Sequence, residues 1–533
     1  PHRIRRYNVG INAVIIALSY GATFLSASAV VGFGGQAATH GMTLMWLCFL
    51  NLFLGLFVAF VLFGTRVRRI GRKLGASTFS DLLGKIFGSK KIRGFTAAII
   101  IIMMPIYCAA VLKGGVNSLV VITGMTDLYD VILIILAIIV GAYVVYGGII
   151  AVMYNDALQA GIMIVGMVVI FIITLTTLGG FTAGSMALTE LWESGVGGAG
   201  TLPGFNGYTS MASFGTAEWW TVVSTFLLGV GIGALTQPQL VVRFMSARDD
   251  RTLNRSLIIG SIFIFVIVGC AYTVGSLTNV YFFEYHEMTS FQFVQSIGQN
   301  VDFIIPNYVL DVFKEVSFGD VFVSLFLLTL LSAAISTISA LMHTIGTAGG
   351  HDVYTLVKNW KSKKKEEARA DGDPGSSAVE KDHQSLSVNR MVTAVVMVLV
   401  VVYCYLMPGD IIAKATSLFM GMTAAALLPL MAYGLYTKKP RKDVAFASIL
   451  VGTVTYLFWA LFINAGSSIF LPICRWITGN AVLFMDSNIM YVDALVVALP
   501  LSFVTLVIAY ILTRKKNNAA VKDTGSTVEE GAD

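Results

Sequence analysis

Charged residues are scarce in this chain. Asp, Glu, Lys and Arg together make up 12% of its 533 residues, whereas a typical soluble domain carries about 25%. The net charge of +6 does not indicate a nucleic acid partner, because the basic residues lie in short segments between long apolar runs. With 56% hydrophobic residues, the chain is expected to be a polytopic membrane protein surrounded by the lipid bilayer.

Sequence patterns for several kinds of chemistry are missing. The five cysteines have no metal-ligand spacing, and four of them lie inside apolar runs, where we expect them to pack as small hydrophobic residues. The absence of a G-x-x-x-x-G-K-S/T motif argues against a nucleotide-driven pump. We therefore expect neither an enzyme nor a bound cofactor. No cleavable signal peptide is visible, and because the chain begins with Pro1 rather than Met, we expect an N-terminal piece to be missing.

Twelve apolar runs are long enough to cross a bilayer, which takes about 20 residues. They lie at about residues 9–37, 42–63, 94–121, 129–147, 157–179, 219–242, 257–281, 319–348, 391–407, 411–434, 443–464 and 489–513. We number these runs as spans one to twelve in chain order.

The basic residues follow the positive-inside rule. If the N-terminus is cytoplasmic, every Lys and Arg lies on the cytoplasmic side except Lys113, Lys314, Lys414 and Arg475. The long outer segment 181–217 contains none. An even number of spans then places the C-terminus in the cytoplasm, and we expect the protein to lie in the plasma membrane.

Two of the spans look discontinuous. In span one, small and hydroxyl residues from Ala22 to Ser28 weaken the helix, and in span six several glycines precede Pro238, which removes a helix donor. The two spans are five apart, and breaks at equivalent positions of two halves indicate an inverted-repeat transporter. The alternatives are tight helix packing at Gly and Ser, or a simple kink at Pro238.

Span eight carries a hydroxyl pair, Ser336 and Thr337, near its middle. A hydroxyl at membrane depth needs a partner, because lipid offers none. Neutral oxygen ligands suit a sodium ion that must bind and then leave. The alternative is that both hydroxyls bond back to carbonyls of the preceding turn.

Several short motifs resemble those of the sodium:solute symporter family and follow in the same order from about residue 9 to 434. They are Tyr143-Val144-x-x-Gly147-Gly148-x-x-Ala151, Asn155-Asp156-Ala157-Leu158-Gln159, Gln237-Pro238-Gln239-x-x-x-Arg243-Phe244-Met245, Ala333-Ala334-Ile335-Ser336-Thr337 and His351-Asp352-Val353-Tyr354. Ile149 departs from the family pattern. The segment Leu25 to Ser28 resembles most closely the sodium/pantothenate or monocarboxylate branch.

The resemblance implies an all-α polytopic protein with a LeuT-type inverted five-helix repeat plus additional C-terminal helices. This chain would hold about 12 transmembrane helices, and 13 with a missing N-terminal one. The parts are a transporter core at 1–434, with repeat one at about 9–180 and repeat two at about 219–434, a cytoplasmic linker at 361–384, two extra helices at 435–516 and a disordered cytoplasmic tail at 517–533.

The resemblance also implies a sodium site between spans one and eight. Its ligands would be the carbonyls of Ala22, Leu25 and Ala333 and the hydroxyls of Ser336 and Thr337.

A second sodium ion at Asp156, Ser336 and Ser339 is also compatible with the family, although Ala340 stands where another serine would help. Asp156 could instead pair with a cytoplasmic arginine, serve in gating or take up a proton.

The substrate is expected beside the two breaks, at Ser26, Ser28 and Gln237. Lys113, the basic residue well inside a span, could attract a substrate carboxylate, or its side chain could extend to the outer surface. We predict a sodium-coupled symporter that imports a small organic anion, such as pantothenate or a short monocarboxylate. A sodium/neutral amino acid symporter for a proline-like solute is the alternative, and a channel or a transporter-like sensor is the alternative of a different class.

The predicted topology can be tested with single cysteines in a background without the five native ones. We expect a membrane-impermeant thiol reagent applied outside cells to label Ser210→Cys in the outer segment and to leave Thr437→Cys unlabelled until the membrane is permeabilised. The opposite labelling would contradict the orientation.

Overall fold

The computed structural model describes residues 12–314, 316–367 and 386–529. This part of the chain consists of helices and connecting loops. The helices are α1 (Ala13–Phe24), α2 (Phe33–His40), α3 (Met45–Leu50), α4 (Thr65–Leu74), α5 (Phe79–Phe87), α6 (Lys90–Thr123), α7 (Tyr129–Thr177), α8 (Phe181–Glu193), α9 (Ala217–Trp220), α10 (Gly229–Gly233), α11 (Pro238–Ser246), α12 (Asp250–His286), α13 (Ser290–Ser296), α14 (Ile304–Val312), α15 (Gly319–Thr347), α16 (Tyr354–Glu367), α17 (Leu386–Leu406), α18 (Ile412–Tyr436), α19 (Lys442–Phe462), α20 (Ala465–Ser468), α21 (Ile473–Thr478) and α22 (Ala494–Glu529).

Wider π-helical turns extend several of these helices. They are Ser28–Gly32 before α2, Asn51–Gly64 between α3 and α4, Thr221–Leu228 before α10 and Ala348–Val353 after α15.

Eleven helical stretches in the described residues are long and apolar enough to cross a membrane. One of them, Ser28–Leu74, runs through two of the predicted spans. Gly41 divides this stretch, because its φ of +72° turns the chain. The hydroxyl of Tyr20 donates to the carbonyl of Gly55 over 2.8 Å, so the chain after the turn packs back against α1. With this hairpin, span one comprises α1 and α2, span two comprises α3 and the π-helical segment Asn51–Gly64, and twelve crossings result in the described part of the chain.

The helix α7 carries spans four and five. Its 49 residues would reach about 74 Å as one straight helix, more than twice the hydrocarbon thickness. Its two apolar segments are Thr126–Tyr146 and Ala151–Thr177.

Both predicted helix breaks are present. In span one, Leu25 leaves the helical conformation with φ −94° and ψ 86°. In span six, Gln237 is extended with φ −63° and ψ 116°. Pro238 is the first residue of α11, where the N–H that proline lacks would have no partner within the helix. The chain therefore exposes backbone groups at corresponding places in spans one and six.

Span ten (α18) is the most buried span, whereas spans nine and twelve turn most of their side chains outward. The two additional C-terminal spans, α19 and α22, pack against each other and against α18. The helix α22 includes residues 517–529, for which the sequence predicts disorder, while residues 530–533 lie outside the described part. Of the predicted linker, residues 368–384 also lie outside the described residues.

The turn at Gly41 can be tested by Gly41→Ala. A side chain there would adopt an unfavourable positive φ and meet the backbone of Tyr208, whose carbonyl accepts from the N–H of Met42 over 2.6 Å. Gly124→Ala is the control for a positive φ alone, because Gly124 has a φ of +68° and nothing within 4 Å, although its ψ of 15° differs from the −161° of Gly41. We expect the control to lower the free energy of unfolding by about 1–2 kcal/mol through backbone strain. The decrease for Gly41→Ala should be clearly larger. Thermal unfolding in detergent measures both, and equal losses would contradict the close packing.

Candidate functional site

The hydroxyl pair of span eight contacts the broken segment of span one. The Ser336 hydroxyl donates to the carbonyl of Ala22 over 2.9 Å, and the Thr337 hydroxyl lies 3.3 Å from the same oxygen and 3.2 Å from the carbonyl of Thr23. Ser336 also lies 3.2 Å from the carbonyl of Ala333 in its own helix. Four of the five sodium ligands expected from the sequence are thus close together.

The fifth expected ligand, Leu25, lies at the break itself. Its backbone is non-helical, and its side chain lines the cavity described below. All the oxygen donors of this cluster are neutral carbonyls and hydroxyls. Such a set suits a monovalent ion better than a divalent ion, which is usually held by carboxylates.

Asp156 pairs with an arginine. Its Oδ2 lies 2.7 Å from Nη2 of Arg243 and also accepts from the hydroxyls of Ser19, over 2.9 Å, and Thr23, over 3.3 Å. All four residues are buried. The pair links spans one, five and six on the N-terminal side of the break in span one. This is one of the roles that the sequence left open for Asp156.

The third residue expected for a second sodium ion, Ser339, has a partner in its own helix. Its hydroxyl donates to the carbonyl of Ser336 over 3.0 Å. Asp156 and Ser339 are therefore each held by a different neighbour.

A cavity of about 250 Å³ lies beside the break in span one. It is lined by Phe24, Leu25, Ser26, Ala29, Phe33, Asn51, Tyr107, Val230, Tyr272, Thr416 and Met420. These residues come from spans one, two, three, six, seven and ten, and their side chains are apolar or polar without charge.

Of the substrate residues expected from the sequence, Ser26 lines the cavity. Its hydroxyl accepts from the hydroxyl of Tyr107 over 3.2 Å and from the N–H of Ser28 over 3.1 Å. Ser28 is buried behind it. Ser26 therefore orders the unwound segment and also presents a polar atom to the cavity.

Gln237 and Lys113 lie outside this lining. The Gln237 amide donates to the carbonyl of Gly233 and to the hydroxyl of Thr423, each over 3.0 Å, and so stabilises the break in span six. The Lys113 ammonium donates to the carbonyls of Met407, over 3.0 Å, and Pro408, over 3.2 Å. These hydrogen bonds link span three to the loop before span ten.

Sequence reasoning missed most of the cavity lining. Phe24, Phe33, Tyr107 and Tyr272 resemble any other aromatic residues of a membrane helix. Asn51 did carry a signal, because it is the one amide or hydroxyl side chain between Thr43 and Thr65 in an otherwise apolar run.

Polar contacts also join the C-terminal end of span one to the N-terminal ends of spans six and ten. The Gln36 amide donates to Asp410 over 2.9 Å, and His40 lies between Gln36, at 3.1 Å, and Glu218, at 2.5 Å. Nearby, burial and the charge of Asp410 raise the pKa of Asp302 to about 7. The break in span one therefore has a polar network on its C-terminal side as well as on its N-terminal side.

Comparison with known proteins agrees with this architecture. The family model described as "Sodium:solute symporter family" matches residues 8–452. A sodium/pantothenate symporter of Haemophilus influenzae is 24% identical over 453 residues, which are 84% of this chain and 82% of the relative. A sodium/proline symporter of Staphylococcus saprophyticus is 24% identical over 462 residues, which are 86% of this chain and 80% of the relative.

The solved structure of a substrate-bound, outward-open Na+-coupled sialic acid symporter has a similar fold. It superposes with a TM-score of 0.64 at 18% identity, over 93% of this chain and 90% of that chain. The predicted all-α LeuT-type inverted repeat is thereby confirmed.

The buried ion pair can be tested by a double-mutant cycle of Asp156→Asn and Arg243→Gln. Each single change leaves the other charge buried without its partner, which costs about 3–5 kcal/mol. The double variant removes both charges, so we expect it to recover much of that loss. Thermal unfolding in detergent measures the three variants, and strictly additive losses would contradict a direct pair.

Proposed function

The chain belongs to the sodium:solute symporter family, and from that premise we propose that it imports a small carboxylate-bearing solute together with sodium. The observation that carries the proposal is the position of Leu25. It belongs to the unwound segment next to the oxygen cluster of Ala22, Ser336 and Thr337, and it also lines the cavity. One segment of backbone would therefore contact both the ion and the solute.

Sodium would bind at the carbonyls of Ala22, Leu25 and Ala333 and the hydroxyls of Ser336 and Thr337. A hydroxyl that donates its hydrogen keeps lone pairs for a cation. Bound there, the ion would hold span one against span eight. We propose a single ion, because Asp156 is held by Arg243 and Ser339 by its own helix.

Transport would follow by alternating access. The contacts of Asp156 with Arg243 close the cytoplasmic side of the break, and those of Gln36 with Asp410 close the outer side. Rocking of one group of helices against the other would break one set while the other persists. A membrane potential adds roughly 2.3 kcal/mol per charge per 100 mV for each sodium carried inward.

The preferred substrate is a small organic anion, such as pantothenate or a short monocarboxylate. The cavity is small and bordered by residues of six spans, so a compact solute fits best. No charged side chain is among the described residues that line it, so the sodium ion would supply the positive charge for a carboxylate. A proline-like amino acid is the second candidate, favoured by the same small volume and by the sodium/proline relative.

The distribution of basic residues supports the orientation, and the bacterial relatives support the choice of membrane. We propose the plasma membrane, with the C-terminus in the cytoplasm.

Uptake into proteoliposomes tests the function. We expect labelled pantothenate, lactate or proline to accumulate with an inward sodium gradient, with saturation, and not with a potassium gradient. Flux without saturation would indicate a channel, and absence of flux for all three would favour a sensor.

The sodium site is tested by Ser336→Ala combined with Thr337→Ala. Loss of two ligands worth about 1 kcal/mol each should raise the half-saturating sodium concentration roughly tenfold or more. Ser339→Ala is the matched control in the same helix, and we expect its sodium dependence to be unchanged. A Hill coefficient that falls from two to one in Ser339→Ala would instead favour the second ion.

A further inference from the structure

Asn51 differs from the other polar residues of the cavity. Its side chain is 1% exposed, and its Oδ1 has no hydrogen-bond partner among the described residues. Tyr107 donates to Ser26, and Thr416 donates to the carbonyl of Ile412 in its own helix over 2.8 Å. Among the lining residues, Asn51 is the one with a fully buried side-chain oxygen that has no partner among the described residues.

An unpaired amide is unfavourable in this location. Neither lipid nor an apolar helix offers the amide a partner. The free-energy penalty for burying such a group without a partner is larger than the net stabilisation from a typical hydrogen bond. Apolar residues precede and follow Asn51, so a leucine there would suit the helix better. The position is also irregular, because the π-helical segment Asn51–Gly64 begins at it, and such segments often occur at functional sites.

We propose that Asn51 is a specificity-determining residue that hydrogen bonds to a hydroxyl or amide group of the solute. The inference rests on the proposed function. The carboxylate of the solute cannot fill this role, because an ionised carboxylate only accepts hydrogen bonds and the Oδ1 of Asn51 needs a donor. The solute must therefore carry a second polar group that has an O–H or N–H.

The hydrogen-bonding groups of the Asn51 amide further restrict which second polar group the solute can carry. An amide offers an acceptor oxygen and two donor hydrogens, so a hydroxyl or a secondary amide can match both, whereas an ammonium only donates. The lining also has no carboxylate to balance an ammonium. Hydroxy acids and amide-containing acids therefore fit the cavity better than plain alkanoates or amino acids.

Paired probes test this inference through their sodium-dependent effect on the thermal unfolding of the purified protein and on uptake. Lactate is compared with propionate, which lacks only the hydroxyl, and proline is compared with cyclopentanecarboxylate, which lacks the N–H. Pantothenate is measured as a solute that has both hydroxyl and amide groups. We expect the wild type to prefer lactate to propionate by about 10- to 100-fold, the range of a lost hydrogen bond to a buried group. We expect a smaller preference in the proline pair, because the nitrogen of proline is an ammonium and the described lining has no carboxylate to balance it.

Asn51→Leu should reduce that preference to near unity without changing the half-saturating sodium concentration. Asn51→Ala is the second variant, because it removes the amide without adding bulk and keeps the test valid if leucine impairs folding. The matched control is Asn117→Leu in span three. Asn117 is also a buried amide with an unpartnered Oδ1, but it does not line the cavity, so we expect it to keep the wild-type preference.

The outcomes distinguish failure of the role proposed for Asn51 from failure of the proposed symport function. If Asn51→Leu and Asn51→Ala transport with sodium and keep the wild-type preference, or if Asn117→Leu loses the preference equally, the role of Asn51 is overturned and the symport function stands. If no probe stabilises the wild type or enters with sodium, the proposed function fails, and the role of Asn51 fails with it.

Discussion

The carbonyl groups freed where span one breaks need partners, because the membrane interior supplies no water to satisfy them. Ser336 and Thr337 of span eight provide partners for Ala22 and Thr23. This contact closes the helix break and, with the same atoms, gathers neutral oxygens at one point. The approach of span eight to span one and the cavity beside Leu25 both depend on it, since a continuous helix would leave no free carbonyls and no space beside them.

Charged groups lie on both sides of the break in span one, but the described residues that line the cavity carry no charge. Asp156 and Arg243 are paired on one side of the break, and Gln36 contacts Asp410 on the other side. A buried ion pair gains little net stability, because desolvation offsets most of the attraction, but breaking it is costly. Such contacts are suited to hold discrete conformations rather than to stabilise the fold, and a protein that opens to one side at a time needs such discrete states.

A neutral cavity limits what can bind in it. Without a charged side chain in its described lining, the charge of a solute must be balanced by the coupled ion, so binding of the two becomes mutually dependent. Selectivity among small solutes would then depend on hydrogen bonds such as the one proposed for Asn51. A site that hydrogen bonds a solute group rejects the analogue that lacks it much more strongly than an apolar pocket rejects a missing methylene.

Hydrophobic runs, basic loops, the glycines before Pro238 and the hydroxyl pair of span eight are local features. The sequence by itself therefore determined the spans and both breaks, whereas the pairing of Ala22 with Ser336 was expected only from the resemblance to sodium:solute symporters. The partner of Asp156 is 87 positions away, and Lys113 contacts a carbonyl 294 positions away, so no local pattern distinguishes their alternatives. Only the tertiary structure decided these contacts, because it brings distant residues together. It also decided the cavity that includes Asn51, because the shape of the space between packed helices depends on all six spans that line it.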